Sequence, residues 1–303
     1  VSGPAAREFV QFATSNDIDR AAVGQAQYTL LLNEAGGIID DLLVYRYEDR
    51  YLRVVNAANR HKDLAQLQQL ASGFEVQVTD LTPDRALLAL QGPRAETILR
   101  RLLRDSAPNP GYYRFEEVEI EGAQVMISRT GYTGEDGFEL YLPAQLASGL
   151  WQSIIELGGP EGLQPAGLGA RDSLRLEMGY PLYGNELGED RTPLEGGLGW
   201  VVKLDKGEFV GRDALRRVKE AGVSTRLAGF RLRERGFPRP GYEVRTAEGE
   251  VGVVTSGTVS PSLGVGLGFA YLPAAAASAG TRWCGRPSTK RGAYVRNGRR
   301  ADG

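Results

Sequence analysis

The sequence predicts an α+β protein that ends in a small antiparallel β domain, and two patterns predict it. Up to about residue 204, β-rich runs alternate with helical ones. From about Thr225 the chain turns to short β-rich pieces broken by glycine and proline. The 303 residues, 42% hydrophobic and 24% charged, have ordinary globular composition and enough length for two or three cores.

Ala5 to Ala13 carries a helical pattern. Strands are expected at Tyr28 to Asn33, Ile38 to Tyr47 and Tyr51 to Asn56, then a helix from Asn59 to Leu70 and a strand at Phe74 to Thr79. Between the first two strands, Asn33-Glu34-Ala35-Gly36-Gly37 holds a glycine pair able to take the positive φ of a tight hairpin, so those strands should be antiparallel neighbours. After Thr82-Pro83-Asp84 a strand at Ala86 to Leu90 leads through Gln91-Gly92-Pro93 into a helix, with Pro93 near its first turn, where a missing N–H is tolerated. A hairpin at about Tyr113 to Arg129, a strand at Gly137 to Leu142 and helices at Ala144 to Leu157 and Leu168 to Met178 follow. The C-terminal pieces are Arg226 to Leu232, Gly252 to Thr255 and Val265 to Tyr271.

Composition removes several function classes. A formal net charge of −2 supplies no field for nucleic acid. One cysteine, Cys284, leaves no internal disulfide and no Cys-rich metal site, and one histidine, His61, excludes a His-dominated metal cage. No run of about 18 apolar residues offers a membrane span. Val-Ser-Gly-Pro at the start is not an export signal, so a reducing, cytoplasmic setting is expected. The absence of an initial Met before a helical pattern leads us to expect upstream sequence.

Three segments could carry chemistry. In Gly36 to Tyr45 a period of two puts Ile39, Asp41, Leu43 and Tyr45 on one face and Ile38, Asp40, Leu42 and Val44 on the other, so each apolar row holds one carboxylate. An inward Asp must be hydrogen-bonded, paired or protonated, which makes it an acid/base or ligand group; alternatively it caps the Gly-Gly turn. Arg129 to Glu139 folds three glycines and two glutamates around one loop entering a strand, in which Glu139 has the more fixed position. The loop either brings backbone N–H groups to a ligand or is a hairpin with solvated acids. In Gly167-Leu168-Gly169-Ala170-Arg171, small neighbours leave Arg171 open to a carboxylate; a salt bridge to Asp172, Glu177 or Glu139 is the alternative. The hydroxyl-rich Thr255 to Leu263 lacks a Gly-x-Ser-x-Gly elbow, His61 reads as a solvated helix residue, and the tail cations Arg282, Arg286, Lys290, Arg291, Arg296, Arg299 and Arg300 read as a solvated end, an anion site being the alternative.

Taken in order and spacing, Gly24-Gln25-Ala26-Gln27-Tyr28, Asn33 to Asp41, Val54-Val55-Asn56-Ala57, Gly131 to Glu139 and Ala170 to Glu177 resemble the aminomethyltransferase (T-protein) family of the glycine cleavage system. Pro181-Leu182-Tyr183-Gly184, Gly211-Arg212, Thr255-Ser256-Gly257 and Ser260-Pro261 extend the likeness to about residue 273. The resemblance implies a three-domain, cloverleaf-like α+β fold. Its expected divisions are residues 1–82, a folate-binding domain; 83–204, completing the folate funnel; and 205–303, a C-terminal β-barrel-like domain. It implies tetrahydrofolate as co-substrate and a lipoylated H-protein as donor of an aminomethyl group, giving 5,10-methylene-tetrahydrofolate and ammonia, with no metal or flavin in the chemistry. By position, Asp41 matches the acid that orients the folate and assists attack by N10. Glu139 matches the acid on the pterin ring, Tyr28, Val54 and Asn56 match pocket residues, Arg171 matches the arginine near the glutamate portion, and Arg296 matches a C-terminal pocket residue.

Two departures accompany the likeness. Family members begin roughly fifty residues upstream of Val1, and beyond Pro273 the pattern of two further strands is hard to follow, Ala274 to Arg291 reading as shortened or scrambled before a familiar ending at Tyr294. A related accessory protein of iron–sulfur maintenance carries Lys-Gly-Cys-x-x-Gly-Gln-Glu, whereas this chain reads Lys206-Gly207-Glu208-Phe209-Val210-Gly211-Arg212-Asp213, which favours the transferase. A folate-binding remnant without catalysis is the other alternative.

Overall fold

The computed structural model describes residues 1–103, 109–245, 249, 251–278, 282–286 and 293–297. In chain order the elements are α1 (Ala6–Ala13), β1 (Gln25–Leu32), β2 (Ile38–Arg46), β3 (Tyr51–Val54), α2 (Arg60–Ala71), β4 (Arg85–Gln91), α3 (Ala95–Leu102), β5 (Phe115–Ile120), β6 (Ala123–Ser128) and β7 (Gly137–Pro143). Then come α4 (Ala147–Gly158), α5 (Leu168–Glu177), α6 (Arg212–Ala221), β8 (Thr225–Leu232), β9 (Glu243–Arg245), β10 (Val251–Val259), β11 (Gly266–Pro273), β12 (Arg282–Arg286) and β13 (Ala293–Asn297). The fold is α+β. Its sheets are a three-stranded one in the order β1-β2-β3, a four-stranded one in the order β4-β7-β6-β5, and a closed barrel.

The chain divides into two compact units with interleaved segments. The first comprises Val1–Gln11, Asp17–Thr29 and Leu42–Arg171. Its four-stranded antiparallel sheet is sided by the period of two. Phe138, Leu140 and Leu142 of β7, with Val125 and Ile127 of β6, pack against Ile98 and Leu99 of α3 and Leu150 and Ile154 of α4. The opposite face of the same strands carries Ser128, Glu139 and Tyr141. There a second cluster forms around Ala26, Tyr45, Phe115 and Met126, with Leu43, Val54 and Tyr141 packed on it.

The second unit comprises Phe12–Asn16, Leu30–Asp41 and the chain from Asp172 onward. Its barrel closes in the order β10-β11-β8-β13-β12-β9 around Ala228, Phe230, Val244, Val254, Ala270 and Leu272. Strands β12 and β13 thus form in the stretch where the family pattern of two further strands is hard to follow. Cys284 lies opposite Tyr294 and Arg245, and Arg296 opposite Arg231. Backbone ladders do not depend on side-chain identity, so a sequence can lose its motif and keep its pairing.

The expected strand at Phe74 to Thr79 shrinks to one isolated bridge, Gln77 with Ser2. Phe74 turns instead to Phe9, with ring centroids 5.5 Å apart, and no second strand offers it a ladder. Pro93 lies just outside its helix. Gly92 takes a φ of +119° and its carbonyl accepts from Ala95 N, so α3 opens two residues later than Pro93.

Candidate functional site

Glu139 sits on the β7 face turned away from the helices. Ala89 is its partner on β4 and Ser128 its partner on β6. Its Oε2 accepts from Thr130 Oγ1 at 2.5 Å and from Tyr141 Oη at 3.3 Å. Behind these donors stand Ser128 Oγ, 2.9 Å from Thr130 Oγ1, and Tyr45 Oη, 3.1 Å from Tyr141 Oη and 3.4 Å from Thr130 Oγ1. Burial, and then the charge of Glu139, push the Tyr45 phenol up to about 12, and burial likewise raises Tyr141 well above the usual phenol value. Both phenols therefore stay protonated and serve as donors at physiological pH. Among the described residues, no hydrogen bond falls on Glu139 Oε1.

Arg171 places its guanidinium 4.8 Å from the centroid of the Tyr132 ring, a cation over an aromatic face. The expected alternative, an ion pair, is taken by the next basic residue of the helix. Asp172 pairs with Arg175, while Glu177 is engaged by Ser260 and Ser262. Arg171 remains exposed.

Strand β2 separates its two acids by burial. Ile38, Asp40, Leu42 and Val44 are all sealed, with Asp40 0% exposed, whereas Asp41 is only half-buried. The hairpin turn is closed by a different side chain. Asn33 Oδ1 accepts from Gly37 N at 2.8 Å, and Gly36 supplies the positive φ of +83°. Of the remaining pocket candidates, Val54 lies opposite Leu43 in the ladder and packs in the Tyr45 cluster. Tyr28 is half-buried on β1 and follows Ala26 on the same face. Asn56 begins the 3-10 turn Ala57–Asn59, and its side chain makes no capping bond there. Arg296 is placed only as a backbone position in β13; the side chains of the tail cations and of Cys284 lie outside the described residues.

The glycine loop is built around a side chain of the same unit. Gln91 Nε2 donates to the carbonyls of Thr130 and Phe138, and its Oε1 accepts from Thr133 Oγ1. A Cβ on Gly131 would stand 2.0 Å from Gln91 Oε1, and one on Gly137 2.7 Å from the Leu90 carbonyl oxygen. These glycines make room for Gln91. The hydroxyl loop is equally structural, since Ser256 Oγ accepts from Arg175 and Asn185, and Ser260 is tied to Glu177. His61 is exposed on α2, as expected.

Sequence reasoning passed over Tyr45, Ser128, Thr130 and Tyr141. A signal for Tyr141 was present, since it follows Glu139 by two positions in one strand and must share its face. Among the described residues no group of His, Cys, Asp and Glu could hold a metal ion, and no helix is long and apolar enough to cross a membrane.

Comparison with known proteins was then informative. Residues 1–206 match the family model of the GCVT N-terminal domain, and residues 225–291 that of the glycine cleavage T-protein C-terminal barrel domain. An aminomethyltransferase of Moorella thermoacetica is 50% identical over 281 residues, covering 92% of this chain and 77% of the relative. One of Desulfitobacterium hafniense strain Y51 is 49% identical over 266 residues, covering 88% and 73%. The crystal structure of the glycine cleavage system aminomethyltransferase T from Bartonella henselae superposes with a TM-score of 0.90 at 36% identity, covering 98% of this chain and 81% of that one.

Proposed function

The chain belongs to the glycine cleavage T-protein family and is an aminomethyltransferase, and on that premise we propose that its one-carbon acceptor is tetrahydrofolate and its donor the aminomethyl-lipoyl arm of an H-protein. The products are 5,10-methylene-tetrahydrofolate, ammonia and the dihydrolipoyl partner. When bound, the folate supplies the nitrogens that accept the carbon.

The observation that carries this reading is the half-satisfied carboxylate of Glu139. Oε2 is held by two hydroxyl donors, and Oε1 is left to accept from a ligand. An amino-pyrimidinone ring presents an edge of N–H donors, which a carboxylate oxygen in a partly desolvated site matches well. The residues present fit the group.

The remaining roles follow by position. Asp41 is the acid that orients the folate and manages the proton at N10; its half-buried place on β2 suits this better than the sealed Asp40. Arg171 meets the carboxylates of the glutamate portion, held by its contact with Tyr132. By sequence position alone, Tyr28, Val54 and Asn56 match residues that line the folate pocket, and Arg296 matches a residue of its C-terminal part.

The test is formation of methylene-tetrahydrofolate from aminomethylated H-protein by this chain and by Asp41→Asn, with folate affinity measured by calorimetry on both. We expect turnover to fall by about two orders of magnitude or more in the variant, the usual scale for loss of a general acid or base, while binding changes far less. Equal turnover removes Asp41 from the mechanism. Absence of folate binding in both proteins removes the folate.

A further inference from the structure

We propose that Tyr141 and Tyr45, with Thr130 and Ser128, are positioning residues that fix Glu139 in one orientation by saturating its Oε2 and reserve Oε1 for the ligand; this rests on the folate reading above. Each hydroxyl has one proton to give. Thr130 gives its proton to Oε2 and must therefore accept from Ser128, while Tyr141 gives its proton to Oε2 and must accept from Tyr45. Two relays, Ser128 to Thr130 and Tyr45 to Tyr141, thus run in one direction and end on the same carboxylate oxygen.

The surroundings show that the hydroxyls, rather than the rings, matter here. Tyr45 already packs edge-on against Phe115 and Tyr141, with centroids 5.3 and 5.7 Å apart, so phenylalanine would fill the same space. Ser128, Thr130 and Tyr45 are 0, 3 and 0% exposed, so water does not compete for their protons. Three buried polar groups and the half-buried Tyr141 gather in a region that apolar side chains could have filled, and their hydrogen bonds converge on Glu139. A glutamate has several rotamers, and one anchored at a single oxygen by two donors presents the other in a fixed direction.

The experiment is a double-mutant cycle on folate binding, read by calorimetry and by KM and kcat, with Tyr141→Phe, Glu139→Gln and the two combined. Tyr141→Phe should weaken tetrahydrofolate binding and raise its KM by about tenfold, the scale of one hydrogen bond to a charged group, with kcat moving much less. In the combined variant the phenol should no longer matter, so its affinity should equal that of Glu139→Gln alone. Thr130→Ser should bind like the parent and Thr130→Val like Tyr141→Phe. Additive losses in the double variant, or an unchanged KM in Tyr141→Phe, overturn the positioning role. If Glu139→Gln itself binds folate normally, the folate reading of Glu139 fails as well, which the cycle distinguishes from failure of the relay alone.

Discussion

Arg175 and Glu186 form an ion pair at 2.8 Å in which both side chains are sealed, 1 and 0% exposed. Arg175 is otherwise fully engaged, donating to Asp172, Ser256 and the Tyr180 carbonyl. Glu186 is not, since its Oε1 is buried without a hydrogen-bond partner among the described residues. Removing one member of a buried pair strands the other charge, at about 3–5 kcal/mol. Arg175→Met and Glu186→Leu should each lower stability on that scale in urea titrations, and the double variant should lose clearly less than the sum. Simple additivity would show that the pair is not energetically coupled.

Gln91 and the glycine loop give a second coupled set. Gly137→Ala meets backbone at the Leu90 carbonyl and should cost about 2–3 kcal/mol, the range of an overpacked site. Gly131→Ala meets only the end of the Gln91 side chain, which is held by three hydrogen bonds. A Cβ on Gly137 also meets Gln91, 2.6 Å from its Cδ, but keeps its backbone clash when that side chain is cut back, so adding Gln91→Ala should recover most of the loss in Gly131→Ala and only part of it in Gly137→Ala. Equal behaviour of the two glycine variants in the Gln91→Ala background contradicts this assignment.

The contrast between these sites shows what a sequence exposes. The elements were legible because period and punctuation are local, as in Phe138, Leu140 and Leu142 alternating with Glu139 and Tyr141. Asp40 and Asp41 were legible as a pair but not as individuals, because period two allows either parity and only burial separates them. Tyr45 and Tyr141 lie 96 positions apart, and nothing local announces that their hydroxyls meet. Phe74 and Val76 carried a strand signal that failed because a strand needs a neighbour as well as a pattern. The barrel strands β12 and β13 erred in the other direction, since pairing survived where recognisable residues did not.

Asp80 supplies a pH prediction. Hydrogen bonds from Arg60, then from Thr82, hold its carboxyl near 2 rather than the ordinary 3.8. A depressed carboxylate contributes stability above its unfolded value, and that contribution is lost as pH falls from about 4 through about 2. The pair is partly exposed, with side chains 28 and 23% accessible, so screening limits the effect to about 1 kcal/mol. Asp80→Asn should match the parent near pH 2 and be the less stable protein at pH 6. A constant gap between the two proteins in urea midpoints across that range would show that the Arg60 pair contributes nothing to folding.

Arg53 presents the opposite situation, a buried cation without an ion-pair partner among the described residues. Among the described residues all three guanidinium nitrogens are buried without a hydrogen-bond partner, and the group lies 4.9 Å from the centroid of the Phe9 ring. Burial alone pushes it from 12.5 down to about 9, so the folded state works against its charge. For a lowered cationic group the sign is the reverse of Asp80. The penalty is fully present below about pH 9 and relieved only as pH rises from there toward 12.5, where the unfolded chain still holds the proton. Arg53→Met keeps the length of the side chain, removes the charge and should raise stability at pH 7 by about 1–3 kcal/mol, with the gain narrowing above pH 9. Arg53→Ala also removes the charge but leaves a void beside Phe9, so it should gain less than the methionine variant. A methionine variant that melts below the parent at pH 7 would show that the guanidinium is stabilised where it stands.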